Sequence, residues 1–178
     1  MIIVSAAKPS FGAVIAIAIA MSVPAVAEEG TVEAFSSWEA RGQIYPTGPE
    51  ETTFVGVLSG VLYVTGDDGS MDAGLIICPV TVAINTEDGS QVGDGKCVIV
   101  TPDGERIYAE FKCSGVYLEG CNGDFTLKGG TGDKENISGG GPILIKTAFA
   151  NIAAIPGSVV EQTAVGLAVW PELTYKLP

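Results

Sequence analysis

Gly120 to Gly141 reads GCNGDFTLKGGTGDKENISGGG, eight glycines in 22 residues around one short alternating run, Phe125–Lys128. Glycine at this density beside strand-like sequence marks tight turns, bulges or close backbone approach, because only glycine takes positive φ without penalty. The stretch therefore speaks to fold first. Gly129-Gly130-Thr131-Gly132-Asp133-Lys134 has the look of a phosphate loop. It lacks the GxxxxGK[ST] spacing, Asp133 and Glu135 would repel phosphate, and no strand-to-helix context follows. Gly129, Gly130, Gly132 and Gly139 are read instead as the structural glycines of a hairpin.

The same punctuation runs through the chain. Asp68-Gly69, Asp88-Gly89, Asp94-Gly95, Asp103-Gly104 and Asn122-Gly123 are turn or hairpin dipeptides. Between them lie runs rich in Val, Ile, Thr, Tyr and Phe, read as strands over 31–40, 53–65, 73–85, 91–101, 106–117, 124–129, 143–151 and 158–170. Eight short strands at hairpin spacing describe an all-β barrel or sandwich. Residues 41–53, with Gly42, Pro46, Gly48 and Pro49, read as a long loop, and Pro171 reads as the end of the last strand. No repeat, linker or second domain interrupts 28–178, which is read as one domain.

Alternation assigns faces. Ile107, Ala109, Phe111 and Cys113 share one side of their strand, and Tyr108, Glu110, Lys112 and Ser114 share the other. Residues 53–65 are apolar on both sides, with Phe54, Leu58, Leu62 and Val64 against Val55, Val57, Val61 and Tyr63. Leu75 and Ile77 oppose Ile76, Val80, Val82 and Ile84 in the next run. A strand apolar on both faces is covered on both, by a partner subunit or by a terminal segment of its own chain.

Residues 1–27 form a leader by pattern. Lys8 precedes an apolar run over 11–23 that is short for a bilayer span, Pro24 breaks it, and Ala25-Val26-Ala27 is an A-x-A cleavage site. Export to a periplasm or the cell exterior is expected, with cleavage after Ala27 and no membrane span retained. The 178 residues carry a net charge of −12, and loss of Lys8 makes the remainder one unit more negative. Such a surface disfavours nucleic acid and anionic lipid as partners. Histidine is absent, which removes Ser-His-Asp and Cys-His catalysis and the commonest zinc ligand.

Four cysteines in an exported chain read as two disulfides, and no C-x-x-C pair points to zinc. Cys78 and Cys97 are symmetric about the turn 85–90, so a simple hairpin sets them opposite one another. Cys113 and Cys121 remain, closing a small loop over the next connection.

Few residues suggest chemistry. Asp67, Asp68 and Asp72 share a glycine-containing loop that could hold Ca²⁺, although the twelve-residue EF-hand spacing is missing, and a solvated acidic turn explains them as well. Glu110, beside Tyr108 and Lys112, is an acid–base candidate if its face lines a lumen and an ordinary solvated carboxylate if it does not. Glu39, next to Trp38, is a second such carboxylate. Asn136-Ile137-Ser138 matches a glycosylation sequon.

The segment 120–141, with Phe125–Lys128, the Gly130-Thr131-Gly132 turn, the 133–137 bridge and the Gly-rich 138–142 strand, resembles the signature of bacterial secreted proteins related to the allene oxide cyclase and dirigent barrels. The resemblance implies one eight-stranded antiparallel, calycin-like barrel, trimeric in plant relatives, whose lumen takes an apolar or phenolic molecule. It implies no cofactor. Plant cyclases of this type use a luminal glutamate, which no motif places in this chain. Three functions follow as expectations. The first is non-catalytic binding of a small hydrophobic ligand or an envelope protein. The second is a cofactor-independent isomerase or cyclase. The third is a structural part of the cell envelope.

Overall fold

The computed structural model describes residues 28–66, 69–154 and 160–178. The proposed leader, Asp67 and Asp68 lie outside the described residues. Eight strands follow in chain order: β1 (Glu28–Pro46), β2 (Glu51–Thr65), β3 (Met71–Asn85), β4 (Ser90–Val100), β5 (Arg106–Val116), β6 (Gly120–Gly130), β7 (Ser138–Ala154) and β8 (Val160–Leu177). Each pairs antiparallel with its neighbour, and β1 closes on β8 from Glu28↔Leu177 to Ile44↔Val160. The result is the expected all-β fold, a closed eight-stranded antiparallel barrel.

Alternation holds on every wall. Ala109, Phe111 and Cys113 are buried in the lumen, while Tyr108 and Lys112 face out. Across the barrel, Ile76, Phe125 and Trp170 fill the middle of the lumen, with Phe125 and Trp170 edge to face at 5.3 Å between centroids. This is a packed barrel core, not a pore.

Both proposed disulfides are present, Cys78–Cys97 and Cys113–Cys121. The β3–β4 register runs through Ile77↔Val98 and Val80↔Gly95, which sets Cys78 opposite Cys97 as the turn symmetry requires. The second bridge is diagonal. Cys113 pairs with Gly123 and Cys121 with Gly115, so each cysteine faces a glycine across the β5–β6 ladder. A Cβ on Gly115 would come within 2.7 Å of Cys121 Cα, and one on Gly123 within 2.6 Å of Cys113 Cα. Two disulfides fit an oxidising, extracellular environment. No helix among the described residues is long and apolar enough to cross a membrane.

Two connections differ from expectation. Residues 41–46 are strand, and the β1–β2 turn is only 47–50. Gly42 reads as a breaker, yet it gives room to the Phe54 ring, whose Cε2 and Cζ would lie 2.6 Å from an added Cβ. Pro46 occupies the last pair of the ladder. At the other end of the chain β8 runs past Pro171. Val32 pairs with Leu173 and Ala34 with Trp170, so Pro171 and Glu172 oppose the single residue Glu33 in a bulge, where proline is tolerated.

The glycine-rich hairpin closes one end of the barrel. Lys128 is the extra residue of a β5–β6 bulge, and Gly129 beside it takes φ 125°. Gly130 ends β6, and Gly132, at φ 57°, starts a single 3-10 turn, Gly132–Lys134. Glu105 Oε1 accepts the Asp133 backbone N–H at 2.8 Å, tying this turn to the β4–β5 turn. Ile137 is buried beneath it. Gly139 then crosses so close to Thr174 that no Cβ would fit.

Candidate functional site

The opposite end of the barrel, where the β1–β2, β3–β4 and β5–β6 turns gather, holds a cavity of about 100 Å³. Its walls are Trp38, Phe54, Leu58, Val80, Phe111, Ile145 and Ala164, with the Cys113–Cys121 bridge. Pockets for drug-sized ligands run to roughly 300–1,000 Å³, so this one suits a single small ring or the end of a chain.

Its polar groups are few and placed. Gln162 on β8 points inward and is 8% exposed. Its Oε1 accepts a hydrogen bond from the Tyr117 hydroxyl at 2.8 Å, and no acceptor for its Nε2 lies among the described residues. Burial raises the Tyr117 hydroxyl above the ordinary tyrosine pKa. Trp38, 6% exposed, has its indole N–H buried without a partner. A buried donor left unpaired is costly, so an indole N–H beside a cavity marks a place for an acceptor. Gly60 and Gly166 flank Trp38 in the ladders on either side, and an added Cβ on Gly166 would lie 2.5 Å from Trp38 Cζ2. The two glycines thin the wall so that the ring can lie against β8.

The β5–β6 turn caps the cavity. Tyr117 and Leu118 both line it, and Leu118 holds φ 65°, a conformation unusual for leucine. The Tyr117 N–H donates to Gly89 O at 2.8 Å, Thr147 N–H donates to Glu119 O at 3.1 Å, and Gln91 Nε2 donates to Gly120 O at 3.0 Å. Three neighbouring elements and a disulfide thus hold the cap.

The carboxylates singled out by sequence stand elsewhere. Glu39 lies on the outer face, its Oε1 2.5 Å from Arg41 Nε. Glu110 is also outside, its Oε1 2.6 Å from Lys128 Nζ. The hydrogen bond from Lys128 holds the Glu110 carboxyl below its usual pKa, with Lys112 and Lys96 adding to the effect. Tyr108 shares that face, opposite Val98 on β4 and Gly129 on β6. None of the three enters the lumen, because β5 turns Phe111 inward and β1 turns Trp38 inward. Asp72 is exposed on β3 opposite Val64, and no cluster of three metal-ligating side chains occurs among the described residues. Gln162, Trp38 and Tyr117 were not singled out. Gln162 shares inward parity with Ala164, Ala168 and Trp170, and that alternation is the signal that marks it.

No family model matches the chain, and no curated protein matches it. Among solved structures it is similar to a pterocarpan synthase dirigent protein, at 11% identity and a TM-score of 0.35, over 82% of this chain and 93% of that one.

Proposed function

We propose that the protein is an exported, non-catalytic binder that buries a small apolar ligand carrying one hydrogen-bonding group. The observation that carries this reading is the apolar cavity at the barrel end, lined by Gln162 and by Trp38 with its buried, unpartnered indole N–H. Such a pair orients a hydroxyl or carbonyl while the walls exclude water from the ring. No carboxylate lines the cavity among the described residues, so shape and hydrogen bonding are what it offers. That supports binding over an acid–base isomerase. The leader pattern with its A-x-A site and the two disulfides support a periplasmic or extracellular site of action, with cleavage proposed after Ala27.

A single ring buries roughly 150 Å². At about 25 cal/mol per Å² that contributes about 4 kcal/mol, a dissociation constant near 1 mM. Benzyl alcohol and toluene are the probes, read by tryptophan fluorescence, since both tryptophans, Trp38 and Trp170, are luminal. Benzyl alcohol is expected to bind saturably and more tightly than toluene. Ala164→Leu, which fills the cavity, should abolish both while the circular dichroism spectrum stays native. Absence of saturation, or equal binding by Ala164→Leu, would refute the proposal.

A further inference from the structure

Asp94-Gly95 and Asn122-Gly123 have the sequence of turns, yet both lie inside strands, in β4 and β6. Gly123 makes room for the Cys113–Cys121 bridge. Gly95 makes room for something else. It holds an inward position on β4, opposite Val80 on β3 and Phe111 on β5. A glycine in mid-strand forgoes packing and loses more backbone entropy than other residues, and it marks a place where another group comes close. Here that group is the Phe111 ring. A Cβ on Gly95 would overlap Phe111 Cε1 and lie 2.9 Å from its Cζ and 3.0 Å from Val80 Cγ1. The ring is seated on the bare backbone of β4.

That seat lies between two spaces in the lumen. Above it is the cavity at the turn end. Below it is a void of about 10 Å³, room for no more than one water. Ser36 and Trp170 line this lower void, both fully buried, and the Trp170 indole N–H has no partner. Three side chains line both spaces, Leu58 from β2, Phe111 from β5 and Ile145 from β7. They reach in from separate sides of the barrel, and Phe111 is the largest. The division between the spaces is therefore made of side chains, which a substitution can remove.

We infer that the Phe111 ring, seated on Gly95, is the floor that sets how long a ligand the lumen accepts. The inference rests on the cavity being the ligand site. Gln162 and Tyr117 hold the ligand's polar group at the turn end, so its far end points down the lumen toward Phe111. One ring fits above the floor, and a longer ligand meets the Phe111 face. Phe111 is thus a specificity-determining residue, and Gly95 is a positioning residue that acts through it. The lower void, with its unpartnered donor at Trp170, is closed to ligand in this chain and opens when the ring is trimmed.

Titration with benzyl alcohol and 4-propylbenzyl alcohol, read by tryptophan fluorescence, tests this. The propyl group adds apolar surface that strengthens binding wherever it finds room. Wild type is expected to bind the propyl compound at least about tenfold more weakly than benzyl alcohol. Phe111→Ala is expected to reverse that order, and Phe111→Leu does the same work if the alanine variant fails to fold. Gly95→Ala drives the ring off β4 into the lumen and should weaken benzyl alcohol at least about tenfold. Adding Phe111→Leu to Gly95→Ala should restore it. Leu127→Val trims a buried side chain that lines neither space and should leave the order of the two compounds unchanged. Xenon, which occupies dry apolar cavities, reads the floor without a ligand. Wild-type crystals under xenon pressure should take it above Phe111 only, and crystals of the Phe111 variant beside Trp170 as well. Absence of benzyl alcohol binding would overturn the binding reading, while the xenon pattern still decides whether Phe111 divides the lumen. The inference is overturned if wild type binds the propyl compound as tightly as benzyl alcohol, or if trimming Phe111 leaves the order unchanged. It is equally overturned if Leu127→Val reverses the order, if the double variant binds no better than Gly95→Ala, or if xenon reaches Trp170 in wild type.

Discussion

Replacing Gly166 with alanine would put a methyl group into space already taken from two sides. The added carbon would overlap the Lys146 carbonyl oxygen on β7 and lie 2.5 and 2.8 Å from Cζ2 and Cε2 of Trp38. The carbonyl belongs to the β7–β8 ladder and cannot retreat without opening it. The indole can move only toward the cavity. Overpacking of this kind costs about 1–3 kcal/mol, and the ladder strain puts Gly166→Ala at the upper end, about 3 kcal/mol. For a chain of this size that corresponds to a fall of about 6–12 °C in melting temperature. Thermal unfolding followed by near-ultraviolet circular dichroism reads it, with Gly48→Ala as control, whose new methyl would meet Glu51 Cβ at 3.4 Å and Glu51 N at 3.9 Å, ordinary contacts. Because Trp38 is pushed into the cavity, benzyl alcohol binding should weaken as well. A melting temperature within about 2 °C of wild type would correspond to less than about 1 kcal/mol and would refute the packing argument at Trp38.

Removing the disulfides should cost unequal amounts. The loops they close, of sequence separation 19 and 8, give about 3.3 and 2.6 kcal/mol by chain entropy, so urea unfolding should show Cys78→Ser/Cys97→Ser as the less stable variant. Tyr117 has its pKa raised by burial, so the neutral phenol belongs to the folded state. Its stabilisation is complete below the unfolded tyrosine value of about 10 and is lost as pH rises through the folded value. A spectrophotometric titration should show a tyrosine step displaced above the ordinary tyrosine value, and Tyr117→Phe should delete that step. N-terminal sequencing of the exported protein should begin at Glu28. A start at Met1 would remove the leader from the account.

The barrel was legible because its information is local. Strand alternation fixed which residues face inward, and the symmetry of Cys78 and Cys97 about one turn fixed both a register and a bond. Breakers were legible only in isolation. Gly42 and Pro171 look like strand ends until the partner strand supplies the Phe54 ring at one and a bulge at the other. The cavity was the least legible feature, because it is a property of eight strands at once. Gln162 is one polar residue in a mostly apolar run, and its role depends on Tyr117, 45 positions earlier, arriving over the same end of the barrel. Glu110 and Glu39 drew notice as carboxylates in strands. The inward demand of Phe111 and Trp38 places both outside.

The central claim is that the cavity under the β5–β6 turn receives a small apolar ligand with its polar group at Gln162. Intermolecular nuclear Overhauser contacts between benzyl alcohol and the isotope-labelled protein test it most directly. The expected contacts run from the ring to Phe54, Phe111 and Trp38, and from the hydroxymethyl group to Gln162 and Tyr117. Contacts confined to Leu75, Val165 and Phe149 on the outer face, or no contacts at saturating ligand, would contradict it.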